Sequence, residues 1–162
     1  GSLQHARFRF LRAARSVLNV DIDELVLGDG SIFAATENAR SGFTKFPGKW
    51  IAAHAPGGAD RETCRLADYT LAEQPEDAAC PPKWCLVPGK ADRLADSWSV
   101  HNLFGARANR QLSEHFIYRH LRAITTSWKP DRWAVELGDP ASLRPDAALV
   151  QAYAAAGLAP GG

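Results

Sequence analysis

The chain has 162 residues, 46% of them hydrophobic, and 19 Lys and Arg against 18 Asp and Glu for a formal charge of +1. That length can bury a real core within one domain, while the balanced charge excludes an overall field directed at nucleic acid or an anionic membrane, so partners must be read locally. Cys64, Cys80 and Cys85 form no C-x-x-C pair, which argues against a zinc ribbon or a complete disulfide framework and for a reducing cytoplasm, and no apolar run approaches the roughly 20 residues of a membrane span.

In chain order, Gly1-Ser2 reads as a cloning remnant. Residues 4–15 then carry Phe8, Leu11 and Ala14 with Arg7, Arg9, Arg12 and Arg15 between them, the pattern of an amphipathic helix. An aliphatic strand at residues 17–20 follows and delivers Asp21, Asp23 and Glu24 into a loop before the chain turns apolar again at Leu25. In extended backbone Asp21 and Asp23, two apart, point the same way. Gly28-Asp29-Gly30 is a turn signal, and Ser31 can cap a short helix reaching about Asn38. Residues 43–52 read as one strand broken by a turn, or as two. Residues 55–60 and 75–82, rich in Gly or Pro, read as loops, and residues 62–73 are either a helix or an irregular excursion.

Residues 83–87 form a short apolar strand closed by Pro88-Gly89, and residues 97–104 a second strand with His101 in its middle. Residues 114–121 alternate as a strand, with Phe116, Tyr118 and His120 on one side, whereas residues 123–133 read as a helix interrupted by Pro130. Asp146 can cap a final helix from Ala147 to about Ala156, with Gly157 as its stop. The expected fold class is α/β, a mixed sheet with flanking helices.

Four local signals carry chemistry, each beside a plainer reading. Asp21 and Asp23 suit Mg²⁺ or Mn²⁺, which keep open positions for substrate phosphates; the plain alternative is an acidic loop after a strand. His101 could be a third ligand or a half-buried strand histidine with a backbone partner. Arg119, His120 and Arg122 could bind an anion or lie solvated at a strand edge. Trp50, Trp84, Trp98, Trp128 and Trp133 are core candidates, and one or two at a cleft would stack on a sugar face.

The order of these signals resembles that of bacterial glycosyltransferases of the GT-A type, in particular family 2-like members and the related family 92 enzymes. In those, a helix leads into an aliphatic strand ending in Asp-x-Asp-Glu, here Asp21-Ile22-Asp23-Glu24-Leu25. A Lys-apolar-apolar-x-Pro segment follows, matched by Lys83 to Pro88, then the Val100-His101 pair, then Arg119-His120-Leu121-Arg122 and Trp128-Lys129. The agreement covers about residues 11–132.

The resemblance implies transfer of a sugar from a nucleotide-sugar donor to a hydroxyl of a glycan or other acceptor, with Asp21, Asp23 and His101 holding Mn²⁺ or Mg²⁺. Lys83, Arg119 and Arg122 would face the donor phosphates, Trp98 the sugar, and Glu24 or His120 would serve as general base. It also implies a nucleotide-binding region ahead of the Asp-x-Asp, yet only twenty residues precede Asp21 here. The expectation is therefore the C-terminal portion of an incomplete GT-A (Rossmann-like) domain, cytoplasmic or peripheral at the inner membrane, with a partner supplying the missing half or a homo-oligomer covering the exposed sheet edge, and no role for nucleic acid. Two other readings use the same residues. Haloacid-dehalogenase-like phosphohydrolases place an Asp nucleophile and an Asp acid/base in the same pattern, with Lys83 and an acidic segment at residues 138–146 in support. A non-catalytic sugar- or nucleotide-binding fragment is the third.

Overall fold

The computed structural model describes residues 2–54, 64–72, 80–93, 95–122 and 140–158. The fold is mixed α/β, a mixed sheet with flanking helices. In chain order the elements are α1 (Ser2–Ala6), a π-helical turn (Arg7–Leu11), β1 (Val17–Asn19), β2 (Glu24–Gly28), α2 (Ile32–Asn38) and β3 (Phe43–Ile51). A 3₁₀ turn (Leu66–Asp68), β4 (Leu71–Ala72), β5 (Cys80–Leu86), α3 (Pro88–Ala91), β6 (Ser97–Trp98) and β7 (Leu103–Phe104) follow. A 3₁₀ turn (Arg107–Arg110), β8 (Phe116–Leu121), another 3₁₀ turn (Pro140–Ser142), β9 (Arg144–Pro145) and α4 (Ala147–Ala155) complete the elements among the described residues. No helix among the described residues is long and apolar enough to cross a membrane. These elements divide into two compact units, and β2, β3, β5 and β8 each contribute residues to both.

In the first unit β5 lies between β1 and β3. The β1 pairing is antiparallel, with Val17 opposite Leu86 and Asn19 opposite Trp84. Pro81 and Pro82 therefore fall beyond the end of β1, where a missing N–H interrupts no bond on that side. Phe43, Trp84, Leu86, Trp98 and Leu103 form the core, joined by Leu3, Leu11 and Val17. Lys45 is also buried, its Nζ donating to Asn102 Oδ1 at 2.7 Å and to the Asn109 carbonyl at 3.2 Å, and burial pulls its pKa below the usual lysine value.

Two expected elements differ. The segment 97–104 is a hairpin rather than one strand: the Ser99 N–H donates to the Asn102 carbonyl at 2.9 Å, so residues 99–102 make a turn and His101 sits in it. Conversely β3 runs unbroken through Pro47-Gly48. Gly48 is there for close approach and not for a turn, because a Cβ would be driven into the buried ring of Tyr118.

In the second unit the end of β3 pairs with β4, Ile51 opposite Ala72, and β4 pairs with β9. The helix α4 lays Leu149 and Tyr153 against Ile51, Tyr69, Ala72 and Leu121. It begins as expected, with Asp146 Oδ1 accepting the Leu149 N–H at 2.9 Å, and ends at Gly157 (φ +71°), where the Leu158 N–H returns to the Tyr153 carbonyl at 2.9 Å. Residues 62–73, undecided from sequence, hold the 3₁₀ turn at Leu66–Asp68 and the strand β4. The helix expected at 123–133 and the loop at 55–60 lie outside the described residues.

Candidate metal centre

The second unit brings three chemically related side chains together. The strand β2 pairs with β8, and the Leu121 N–H donates to the Asp23 carbonyl at 2.8 Å. That bond fixes the register in which Asp23 and Glu24 meet His120, one residue back from Leu121, as cross-strand neighbours. His120 Nε2 lies 3.2 Å from Asp23 Oδ2, and its Nδ1 lies 3.5 Å from Glu24 Oε1. One potential ligand atom from each of the three residues falls within 4.8 Å of the others. Asp23 and Glu24 are buried, at 8% and 6% exposure.

Trp50 completes the arrangement from β3. Its ring stacks on the imidazole with centroids 4.3 Å apart and planes 29° apart, and the Arg122 guanidinium carbon sits 4.0 Å from the indole centroid. The stack holds the plane of the imidazole, so both ring nitrogens stay directed at the two carboxylates. Two buried carboxylates side by side carry a desolvation cost that a cation offsets, and two carboxylate oxygens with one imidazole nitrogen are donors suited to a small divalent ion. Asp23, Glu24 and His120 are therefore residues that could hold a metal ion.

The remaining site candidates find other partners. The strand β1 stops at Asn19 and the chain turns at Ile22-Asp23, so the period of two that would align Asp21 with Asp23 is broken. In the first unit Asp21 Oδ2 accepts from Lys83 Nζ at 2.7 Å; the Lys83 side chain is 2% exposed and that of Asp21 63%. His101 Nδ1 lies 3.1 Å from the Pro82 carbonyl, and in the tautomer that donates there Nε2 remains an acceptor. Trp98 is packed in the first unit's core, edge-on to Trp84 and beneath the Arg7 guanidinium.

Arg119 belongs to the second unit but points to Asp146, which accepts from its Nε at 2.7 Å and from its Nη2 at 3.2 Å. Burial pushes the Asp146 carboxyl up, but the Arg119 hydrogen bond, the Leu149 N–H and the charges of Arg119 and Lys49 outweigh it and leave the group below the usual aspartate value. Trp128, Trp133 and the residues 138–139 lie outside the described residues.

The sequence names Asp23, Glu24 and His120 individually but divides them between ligand and base. The missed signal is the adjacency of Asp23 and Glu24 at the start of an apolar run, Leu25-Val26-Leu27, that becomes a strand rather than the far side of a loop. Trp50 gave no signal beyond being one of five tryptophans. No family model and no curated protein matches the sequence.

Proposed function

We propose that this chain carries the divalent-metal centre of a glycosyltransferase that uses a nucleotide-sugar donor. The observation that supports the reading is the gathering of Asp23 and Glu24, the last two residues of the Asp-x-Asp-Glu stretch that resembles the GT-A motif, with His120 of β8 within 4.8 Å. Asp23 and Glu24 would hold Mn²⁺ or Mg²⁺ with His120. The ion, when bound, supplies Lewis-acid neutralisation of charge on the leaving nucleoside diphosphate. Trp50 keeps His120 in plane, and Arg122, stacked on Trp50, places a positive charge beside the same cluster. Asp23, shared by the motif and the cluster, is the residue on which the reading depends. The acceptor is a hydroxyl compound, and the protein works in the cytoplasm.

Lys83 bonded to Asp21 is the observation favouring the phosphohydrolase alternative, since a lysine beside an aspartate nucleophile neutralises an incoming phosphate. Against it, Asp146 from the acidic segment is already committed to Arg119 and to capping α4.

Titration calorimetry with Mn²⁺, with and without uridine and guanosine diphosphates, separates the readings. Metal-dependent nucleotide binding that is lost in Asp23→Ala, with circular dichroism unchanged, is expected. Metal binding without nucleotide binding would remove the transferase and leave the metal centre. Metal-dependent cleavage of an aryl phosphate that disappears in Asp21→Asn would establish the phosphohydrolase, and metal-independent glycan binding the non-catalytic fragment.

A further inference from the structure

We propose that residues 5–12 form a cationic, aromatic edge by which the chain docks on an anionic phospholipid surface. The inference is independent of the transferase reading. Residues 2–20 contain four arginines and His5 and no Asp or Glu. The inner side of this segment is fully engaged: Leu3 and Leu11 pack on the first unit's core, and Arg7 is buried. Its Nε donates to Asp92 Oδ1 at 2.9 Å and its Nη1 to the Asp96 carbonyl at 3.0 Å, while the guanidinium lies over the Trp98 ring. Asp92 is thereby neutralised.

The outer side is turned to solvent, its ring contacts lying within the segment itself, where the Arg7 guanidinium carbon is 4.9 Å from the Phe8 ring centroid. Phe8 is 61% exposed and Phe10 67%, the two rings emerging on either side of exposed Arg9, with exposed Arg12 one turn further. The Arg9 guanidinium approaches the Phe10 ring at 6.0 Å, and His5 meets the same ring edge-on. Arg15, by contrast, is held by Glu37 at 2.5 Å. The available charge is therefore concentrated where the rings are.

Charge complementarity selects the occupant. Rings that enter the boundary between headgroups and acyl chains while adjacent guanidiniums meet lipid phosphates describe an interfacial segment. A second copy of the chain across a two-fold axis would set Arg9 and Arg12 against their own equivalents, which like-charge repulsion disfavours. With only a few cations the attachment is reversible and weakened by salt.

The test is co-sedimentation of the whole chain with vesicles of phosphatidylglycerol and phosphatidylcholine, and with phosphatidylcholine alone, at low and high salt. Binding to the anionic vesicles only, released by salt, is expected, with Phe8→Ser/Phe10→Ser and Arg9→Gln/Arg12→Gln each weakening it about tenfold or more. All four side chains are exposed, so circular dichroism should not change; if the phenylalanine pair unfolds, the arginine pair still decides. No binding to anionic vesicles, or binding that the variants leave intact, overturns the proposal. So does a concentration-dependent dimer that the phenylalanine variant abolishes without any vesicle binding, and so does binding of single-stranded RNA in place of vesicles.

Discussion

Lys83, one of the most deeply buried charged side chains described, directs its ammonium group 2.7 Å from a carboxylate oxygen of Asp21, whose own side chain is mostly in water. The pair is asymmetric in exposure: the lysine side chain is 2% exposed and meets the aspartate out of bulk water, whereas the aspartate side chain is 63% exposed and stays hydrated. Asp21→Ala should therefore cost about 1–3 kcal/mol by removing an acceptor from a buried cation, and Lys83→Met no more than about 1 kcal/mol because it removes the buried charge itself. Urea denaturation of both variants checks this. A larger loss for Lys83→Met than for Asp21→Ala would refute the asymmetry.

The buried pair of Arg119 and Asp146 should set part of the acid stability. Because the folded pKa of Asp146 is lowered, its contribution is complete above the unfolded value near 3.8 and is lost as pH falls from there through the folded value. Asp146→Ala removes an N-cap and leaves a buried guanidinium without its carboxylate, so a loss of about 3–5 kcal/mol at neutral pH is expected. The slope of stability against pH below 4 should also flatten in this variant, and an unchanged slope would show that another carboxylate governs that range.

At the alkaline end the group to watch is Tyr153. Burial pushes its pKa up from 10.0 to about 12, so folding favours the neutral phenol. Its contribution is complete below pH 10 and is lost as pH rises through 12. Its hydroxyl has no hydrogen-bond partner among the described residues. Tyr153→Phe should accordingly be neutral or slightly stabilising at pH 7, since an unpaired buried hydroxyl is removed, and should reduce the alkaline loss of stability. A clear destabilisation at neutral pH would mean the hydroxyl is satisfied.

Trp50 should act on metal affinity by orienting His120. Trp50→Phe keeps an aromatic face for the imidazole and should retain affinity for Mn²⁺ within about threefold, whereas Trp50→Ala should lower it by about 10-fold or more, the range seen when partners that orient a metal ligand are removed. Calorimetry reads both. If the phenylalanine variant falls as far as the alanine variant, the stack has no orienting role.

Much of the fold is legible in local chemistry. Ser31 and Asp146 cap helices where their side chains and the following apolar spacing say they should, and the strands near residues 17–20, 83–87 and 114–121 are recovered with small shifts at their ends. The failures come from tertiary context. Gly48 reads as a turn because nothing local announces that Tyr118 lies against it, and the hairpin at 97–104 is hidden because Trp98 and Leu103 are apolar on both sides of the turn. The candidate site shows the same limit: Asp23 is conspicuous, but its association with Glu24 and His120 depends on the pairing of two strands far apart in sequence, which no local pattern states.

The stack of Trp50 on His120 also gives the cluster an optical signature. An indole stacked on an imidazole senses a change in what that ring binds. The emission removed by Trp50→Phe should therefore change as an ion takes a His120 ring nitrogen. Occupancy of the centre can then be followed by fluorescence in the unlabelled protein, before any substrate is known.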